Sequence, residues 1–236
     1  YVSCDFGIVQ YNLNTLQFGD TFFIGPNGSQ ISISQTALFN GFIYAASKNN
    51  GVLAAEITSP FLNDFNQWYT VADFGWSGVE KIGNNLVATT SAGSLQKFNG
   101  TTFTPVVQLT EAVNDLRSNG SYLLVTTKNH VYVYNDAISQ IADISSTQIQ
   151  DLTVEFTCAT MINNIVFFGT TENGIFSKGL TDSNIENKTP AGPFRNDVFA
   201  IDASSSNLWA VFGGYDLDYN PYAFTPNGLS KFGISK

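Results

Sequence analysis

The stretch Asn40-Gly41-Phe42-Ile43-Tyr44-Ala45-Ala46-Ser47-Lys48-Asn49-Asn50-Gly51 decides the fold. A short apolar run sits between two turn signals. Asn and Gly tolerate the positive φ that two-residue hairpin turns of type I′ require. Aromatic and β-branched residues in the run favour a strand packed on both faces. The arrangement then recurs. The first turns are Asn40-Gly41, Asn84-Asn85, Asn119-Gly120 and Asn163-Asn164, and the partner turns are Asn50-Gly51, Ala92-Gly93, Lys128-Asn129 and Asn173-Gly174. A period of about 40 residues with two hairpins per unit is that of a β-propeller blade.

Six units overlay on one another: residues 2–24, 31–73, 79–109, 113–144, 156 to about 193, and 198–234. The second strand of a unit is the most apolar, as in 86–90, 123–127, 165–170 and 208–212. The third alternates, as in Val131-Tyr132-Val133-Tyr134, and the fourth is the least regular, as expected of an edge. No segment holds a 3.6-residue period. The expected fold is therefore all-β: one propeller over residues 1–236, six-bladed within a range of five to seven, of mostly four-stranded antiparallel sheets. The first unit lacks its own first strand, and a strand from the C-terminal segment or from sequence upstream is expected to fill the gap. The chain opens inside a strand pattern without Met, which reads as a fragment of a larger protein.

Composition narrows the function. Charged residues are 12% and aromatics 14%, with 20 Phe, so the surface is mostly neutral and polar around an aromatic core. The net charge of −9 and the absence of a basic stripe exclude a phosphate-tracking nucleic-acid surface. No apolar run is long enough to span a bilayer as a helix. Neutral polar surfaces of this kind suit secreted and cell-surface β proteins. Cys4 and Cys158 both lie in strand-like runs and read as two buried free thiols, with a single ring-closing disulfide as the other possibility. No metal-ligating spacing is present, and neither a metal nor a cofactor is expected.

Glu80, Asp115 and Asp197 fall near the start of the first strand in three units. First strands line a propeller's central channel, so these acids could converge there as a cation site or as an acid/base pair for glycoside chemistry. Solvated channel-mouth acids are the simpler reading. Asp216-Leu217-Asp218-Tyr219-Asn220 has part of a calcium-loop pattern but lacks its Gly and distal Glu. His130, the only histidine, reads as an exposed turn residue, and no G-x-S-x-G elbow accompanies it. The Asn-x-Ser/Thr matches at Asn27, Asn99, Asn119 and Asn187 carry no weight in so Asn-rich a chain.

The repeat is interrupted in three places: an insertion at 213–228 and the longer connections 58–68 and 181–189. Tyr215, Tyr219, Tyr222 and Phe224 in the insertion, with Trp68 in the first connection, are the candidate binding residues, because aromatic faces stack on sugars or anchor interfaces. Pro221 and Pro226 stiffen the insertion. Packing of these aromatics over the propeller end is the competing reading.

Several stretches carry a resemblance: Asp5–Leu13 (DFGIVQYNL), 20–29 (DTFFIGPNGS), 43–46 (IYAA), 59–68 (SPFLNDFNQW), 208–215 (LWAVFGGY) and 219–222 (YNPY). In this order they resemble the N-terminal region of PorZ-like proteins of Bacteroidetes, a two-component-regulator type of propeller. The resemblance implies an accessory component of the type IX secretion system at the outer-membrane surface or in the periplasm. It implies partners among the secretion-system proteins, including a sortase, and presentation of anionic lipopolysaccharide for attachment to cargo. It implies no enzymatic activity, and it carries no binding residues onto this chain. The expected function is a non-catalytic binding and scaffolding propeller. The alternatives are a carbohydrate-active enzyme using Glu80 and Asp115, and the periplasmic sensor of a hybrid two-component system.

Overall fold

The computed structural model describes residues 1–150, 152–188, 198–204, 207–212 and 229–233. Among them the strands form six antiparallel sheets, each a simple up-and-down meander. Sheet one holds β1 (Val2–Cys4), β2 (Gly7–Asn12) and β3 (Gln17–Phe22); sheet two holds β4 (Gln35–Phe39), β5 (Phe42–Ser47), β6 (Gly51–Glu56) and β7 (Tyr69–Ala72). Sheet three is β8 (Trp76–Ile82), β9 (Asn85–Thr90), β10 (Ser94–Phe98) and β11 (Phe103–Gln108). Sheet four is β12 (Val113–Ser118), β13 (Tyr122–Thr127), β14 (His130–Asn135) and β15 (Gln140–Ser145). Sheet five is β16 (Phe156–Ile162), β17 (Ile165–Thr170), β18 (Ile175–Gly179) and β19 (Glu186–Asn187), and sheet six is β20 (Val198–Ser204), β21 (Asn207–Phe212) and β22 (Leu229–Gly233). The only helical turns among the described residues are three-residue 3₁₀ segments at Pro26–Gly28, Phe65–Gln67 and Ser146–Gln148.

The chain divides into two compact units, Tyr1–Val113 and Asn114–Lys236. In the first, Ile8 and Phe22 of sheet one pack on Ile43 and Leu53 of sheet two. The other face of sheet two, through Tyr44, Ala46 and Val52, packs on Trp76, Val79 and Leu86 of sheet three. In the second unit, Leu124, Val131 and Ile144 of sheet four meet Phe156, Phe168 and Phe176 of sheet five, and Cys158, Phe167 and Ile175 meet Ile201 of sheet six. Strands apolar on both faces are what such face-to-face stacking needs.

Three local devices repeat. A carbonyl at the end of β1, or just after β5 or β13, accepts the amide that leads into the next sheet: Ile33 N to Cys4 O at 2.9 Å, Gly75 N to Lys48 O at 2.7 Å and Phe156 N to Lys128 O at 2.8 Å. A hydroxyl ends the second strand and caps the following turn. Thr90 Oγ1 accepts from Ser94 N, Thr127 Oγ1 from His130 N and Thr170 Oγ1 from Asn173 N, all within 3.1 Å. The outer strand pairs through a register shift opposite Val52/Leu53, Leu95/Gln96, Val133/Tyr134 and Val9/Tyr11. Bulges at sheet edges discourage edge-to-edge association.

Gly51 opens β6 and Gly7 opens β2, with φ of +89° and +148°. A Cβ at either would collide with the carbonyl of Ala72 or Phe22, respectively, on the neighbouring outer strand. The Asn40-Gly41 and Asn163-Asn164 turns have the expected positive φ at both residues. The turn expected at Asn84-Asn85 lies instead at Gly83-Asn84, with Asn85 already in β9. Gly83, at φ +54°, takes the left-handed position. The outer strand of sheet one begins at Gln17, because the hairpin turns over Asn12, whose Oδ1 accepts from Asn14 N and Thr15 N.

Sheet one has three strands among the described residues.

Candidate functional site

Two of the expected acids, Glu80 and Asp115, sit on first strands, and both are engaged locally. Glu80 is the fifth residue of β8, not near its start, because that strand begins at Trp76. Its Oε2 accepts from Gln35 Nε2 on β4 at 2.9 Å, and its Oε1 from the amide of Lys81 at 2.9 Å. β4 and β8 lie side by side, so this carboxylate ties the first strands of consecutive sheets together.

Asp115, on β12, does the same in the second unit. Its Oδ2 accepts the amide of Ala159 on β16 at 3.3 Å. On either side, Asn114 Nδ2 donates to Phe156 O at 3.0 Å and Asn119 Nδ2 to Met161 O at 3.4 Å. Three side chains thus satisfy the backbone of β16 where β12 does not pair with it, which is what buried backbone groups demand. Arg117 Nε lies 3.3 Å from both oxygens of Asp115, and its Nη1 is 3.8 Å from Asp202 on β20. Burial raises the carboxyl pKa of Asp115, opposed by the Arg117 charge and the Ala159 amide. Asp197 lies outside the described residues.

Cys158 and Cys4 are both free thiols. Cys158 is 2% exposed, and burial, helped by Asp115, pushes its thiol up to about 12. Cys4 is only half-buried, contrary to expectation, because β1 has β2 alone as a partner in its sheet. His130 is likewise a strand residue rather than an exposed turn. It opens β14, its Nδ1 lies 2.7 Å from Asp143 Oδ1, and its ring stacks on Tyr132 at 5.2 Å. Among the described residues no group of His, Cys, Asp and Glu is placed to hold a metal ion.

Of the aromatic candidates, Tyr215, Tyr219, Tyr222 and Phe224 lie outside the described residues, as does the run 216–220. Trp68 corrects the expectation of an exposed binding residue. It is 8% exposed, its indole Nε1–H donates to Leu62 O at 2.9 Å, and its ring belongs to the core between sheets one and two. The loop it closes exposes Phe61 instead. That residue was not singled out in the sequence, where an aromatic in a loop gives no sign of which way it faces.

Residues 1–69 match the family model of the PorZ N-terminal β-propeller domain of the type IX secretion system. No curated protein matches the chain in sequence. In fold it is similar to PorZ of Porphyromonas gingivalis, described as an essential bacterial surface component of the type IX secretion system, with a TM-score of 0.61, 14% identity, and 91% of this chain against 28% of that one. It is similar to the extracellular domain of a Bacteroides thetaiotaomicron protein described as a hybrid two-component system, with a TM-score of 0.62, 15% identity, and 87% of this chain against 29% of that one. The WD40 domain of Neurospora crassa Pan2 aligns at a TM-score of 0.56 with 13% identity, over 77% of this chain and 60% of that one. The chain spans under a third of the length of the two bacterial proteins. Sequence over residues 1–69 and fold over most of the chain make this protein similar to the PorZ N-terminal β-propeller region.

Proposed function

We propose that this chain is a non-catalytic binding and scaffolding domain at the bacterial cell surface, its six sheets the blades of a single propeller over residues 1–236. The observation that carries the reading is the PorZ family match over residues 1–69. The engagement of Glu80 and Asp115 in strand-to-strand bonds supports it, since a general acid or base must be free to meet a substrate. In this reading the domain assists sortase-mediated attachment of anionic lipopolysaccharide to secreted cargo. Its partners are secretion-system proteins, and it works outside the cytoplasm.

The test is deletion of the encoding gene in its own cell, with surface biotinylation of the wild-type protein. Surface labelling, and loss of cargo attachment restored by the wild-type gene, are expected. A protein inaccessible to the label, or cargo attachment unchanged by deletion, overturns the reading. Glycan hydrolysis by the purified chain, lost in Glu80→Gln or Asp115→Asn, would establish the enzyme alternative. The likeness to the extracellular domain of a two-component-type regulator favours a second reading, a sensor propeller. A kinase domain in the full-length chain would establish it.

A further inference from the structure

Residues 57–68, which join β6 to β7, form a closed loop that holds one aromatic outward. Ser59 N donates to Glu56 O at 3.0 Å, Phe61 N to Ser59 Oγ at 3.3 Å, and Asp64 N to Phe61 O at 2.9 Å. Ser59 Oγ donates to Gln67 Oε1 at 3.1 Å, and Asp64 Oδ1 accepts from Asn66 N at 2.9 Å to cap the 3₁₀ turn Phe65–Gln67. Trp68 and Leu62 anchor the loop in the core beneath. Phe61 is nevertheless 61% exposed, and Tyr69, at the same end of sheet two, is 50% exposed. An aromatic fixed in water by a rigid loop loses little further freedom on binding, which is the character of an interface anchor.

The charge of the surrounding sequence has one sign. From Asn49 to Glu80 there is no Lys, Arg or His, while Glu56, Asp64, Asp73 and Glu80 are acidic. Glu56 and Asp64 are exposed and form no ion pair among the described residues. Thr58 Oγ1 donates to Glu56 Oε1 at 2.9 Å, which orients that carboxylate.

We propose that this loop docks a cationic, apolar segment of a partner protein, with Phe61 as the anchor and Glu56 and Asp64 as flanking charges. The proposal rests on the binding reading above and specifies its surface. A partner Arg or Lys meets two carboxylates and an aromatic face together. An anionic polymer meets only repulsion at this surface, so a lipopolysaccharide would bind elsewhere on the molecule.

The test selects a phage-displayed random peptide library on the 236-residue chain and measures synthetic copies of the enriched peptides by fluorescence anisotropy. Enriched peptides are expected to pair Lys or Arg with apolar residues. Their affinity is expected to fall about ten-fold in Phe61→Ala, several-fold in Glu56→Gln/Asp64→Asn, and further with added salt. Thermal stability is expected to hold in both variants, because the three residues are exposed and Asn also caps. No enrichment, enrichment without positive charge, or equal binding to Phe61→Ala overturns the proposal. In the last case the domain still binds peptides, and only this surface falls; the cell-surface experiment judges the broader reading independently.

Discussion

The carboxylate of Asp115 accepts the backbone amide of Ala159 from the first strand of the next sheet, at 3.3 Å. The side chain bonds one sheet to the next. In the first unit Glu80 plays the corresponding part with Gln35.

Asp115→Ala leaves the Ala159 amide and the Arg117 guanidinium without their acceptor. A loss of about 1–3 kcal/mol in urea unfolding is expected, as for an unsatisfied buried group. Asp115→Asn keeps an acceptor for the amide and is expected to cost less at neutral pH.

The raised carboxyl of Asp115 also fixes a pH dependence. A folded value above the ordinary 3.8 means that the fold prefers the protonated acid. Its contribution to stability is full below 3.8 and is lost as pH rises through the raised value. The stability of wild type relative to Asp115→Asn is therefore expected to fall as pH rises above about 3.8, in unfolding curves taken from acid to neutral pH. A flat difference would show that the residue titrates as in the unfolded chain.

Gly51→Ala and Gly41→Ala separate backbone conformation from collision. Both glycines have φ above +80°, so each substitution carries about 1–2 kcal/mol of left-handed strain. A Cβ at Gly41 meets nothing within 4 Å, whereas at Gly51 it runs into the Ala72 carbonyl. Gly51→Ala is expected to be the more destabilising by about 1–3 kcal/mol, the range for overpacking. Equal melting temperatures would contradict the close approach of β6 and β7.

Trp68→Phe removes the donor to Leu62 O and part of a core side chain, and Trp68→Ala removes the whole ring. Denaturant unfolding should show about 1–3 kcal/mol for the first and about 3–5 kcal/mol for the second. A Trp68→Ala variant of wild-type stability would mean that the ring is not part of the core.

Cys158, with its thiol pushed up to about 12, carries about one thiolate in ten thousand at pH 8. Iodoacetamide is expected to spare it in the native protein and to modify it in urea, read by mass spectrometry. Half-buried Cys4 is expected to react first. Prompt native labelling of Cys158 would contradict its burial.

The sequence by itself determined the strand meander and most of its turns, because these rest on local chemistry. Asn40-Gly41 and Asn163-Asn164 admit positive φ wherever they occur, and runs such as 42–46 and 123–127 need burial on two faces. The tertiary structure alone decided what individual side chains do. Glu80 and Asp115 read most simply as solvated acids and otherwise as a converging pair, whereas their partners are Gln35 and Ala159, each more than 40 residues away in the chain. Trp68 and Phe61 are aromatics of one loop, yet the first is core and the second exposed. Composition and spacing are the same for both outcomes. Which ring is buried depends on whether a neighbouring sheet offers apolar surface and a carbonyl for its indole, and such relationships exist only between segments distant in the chain.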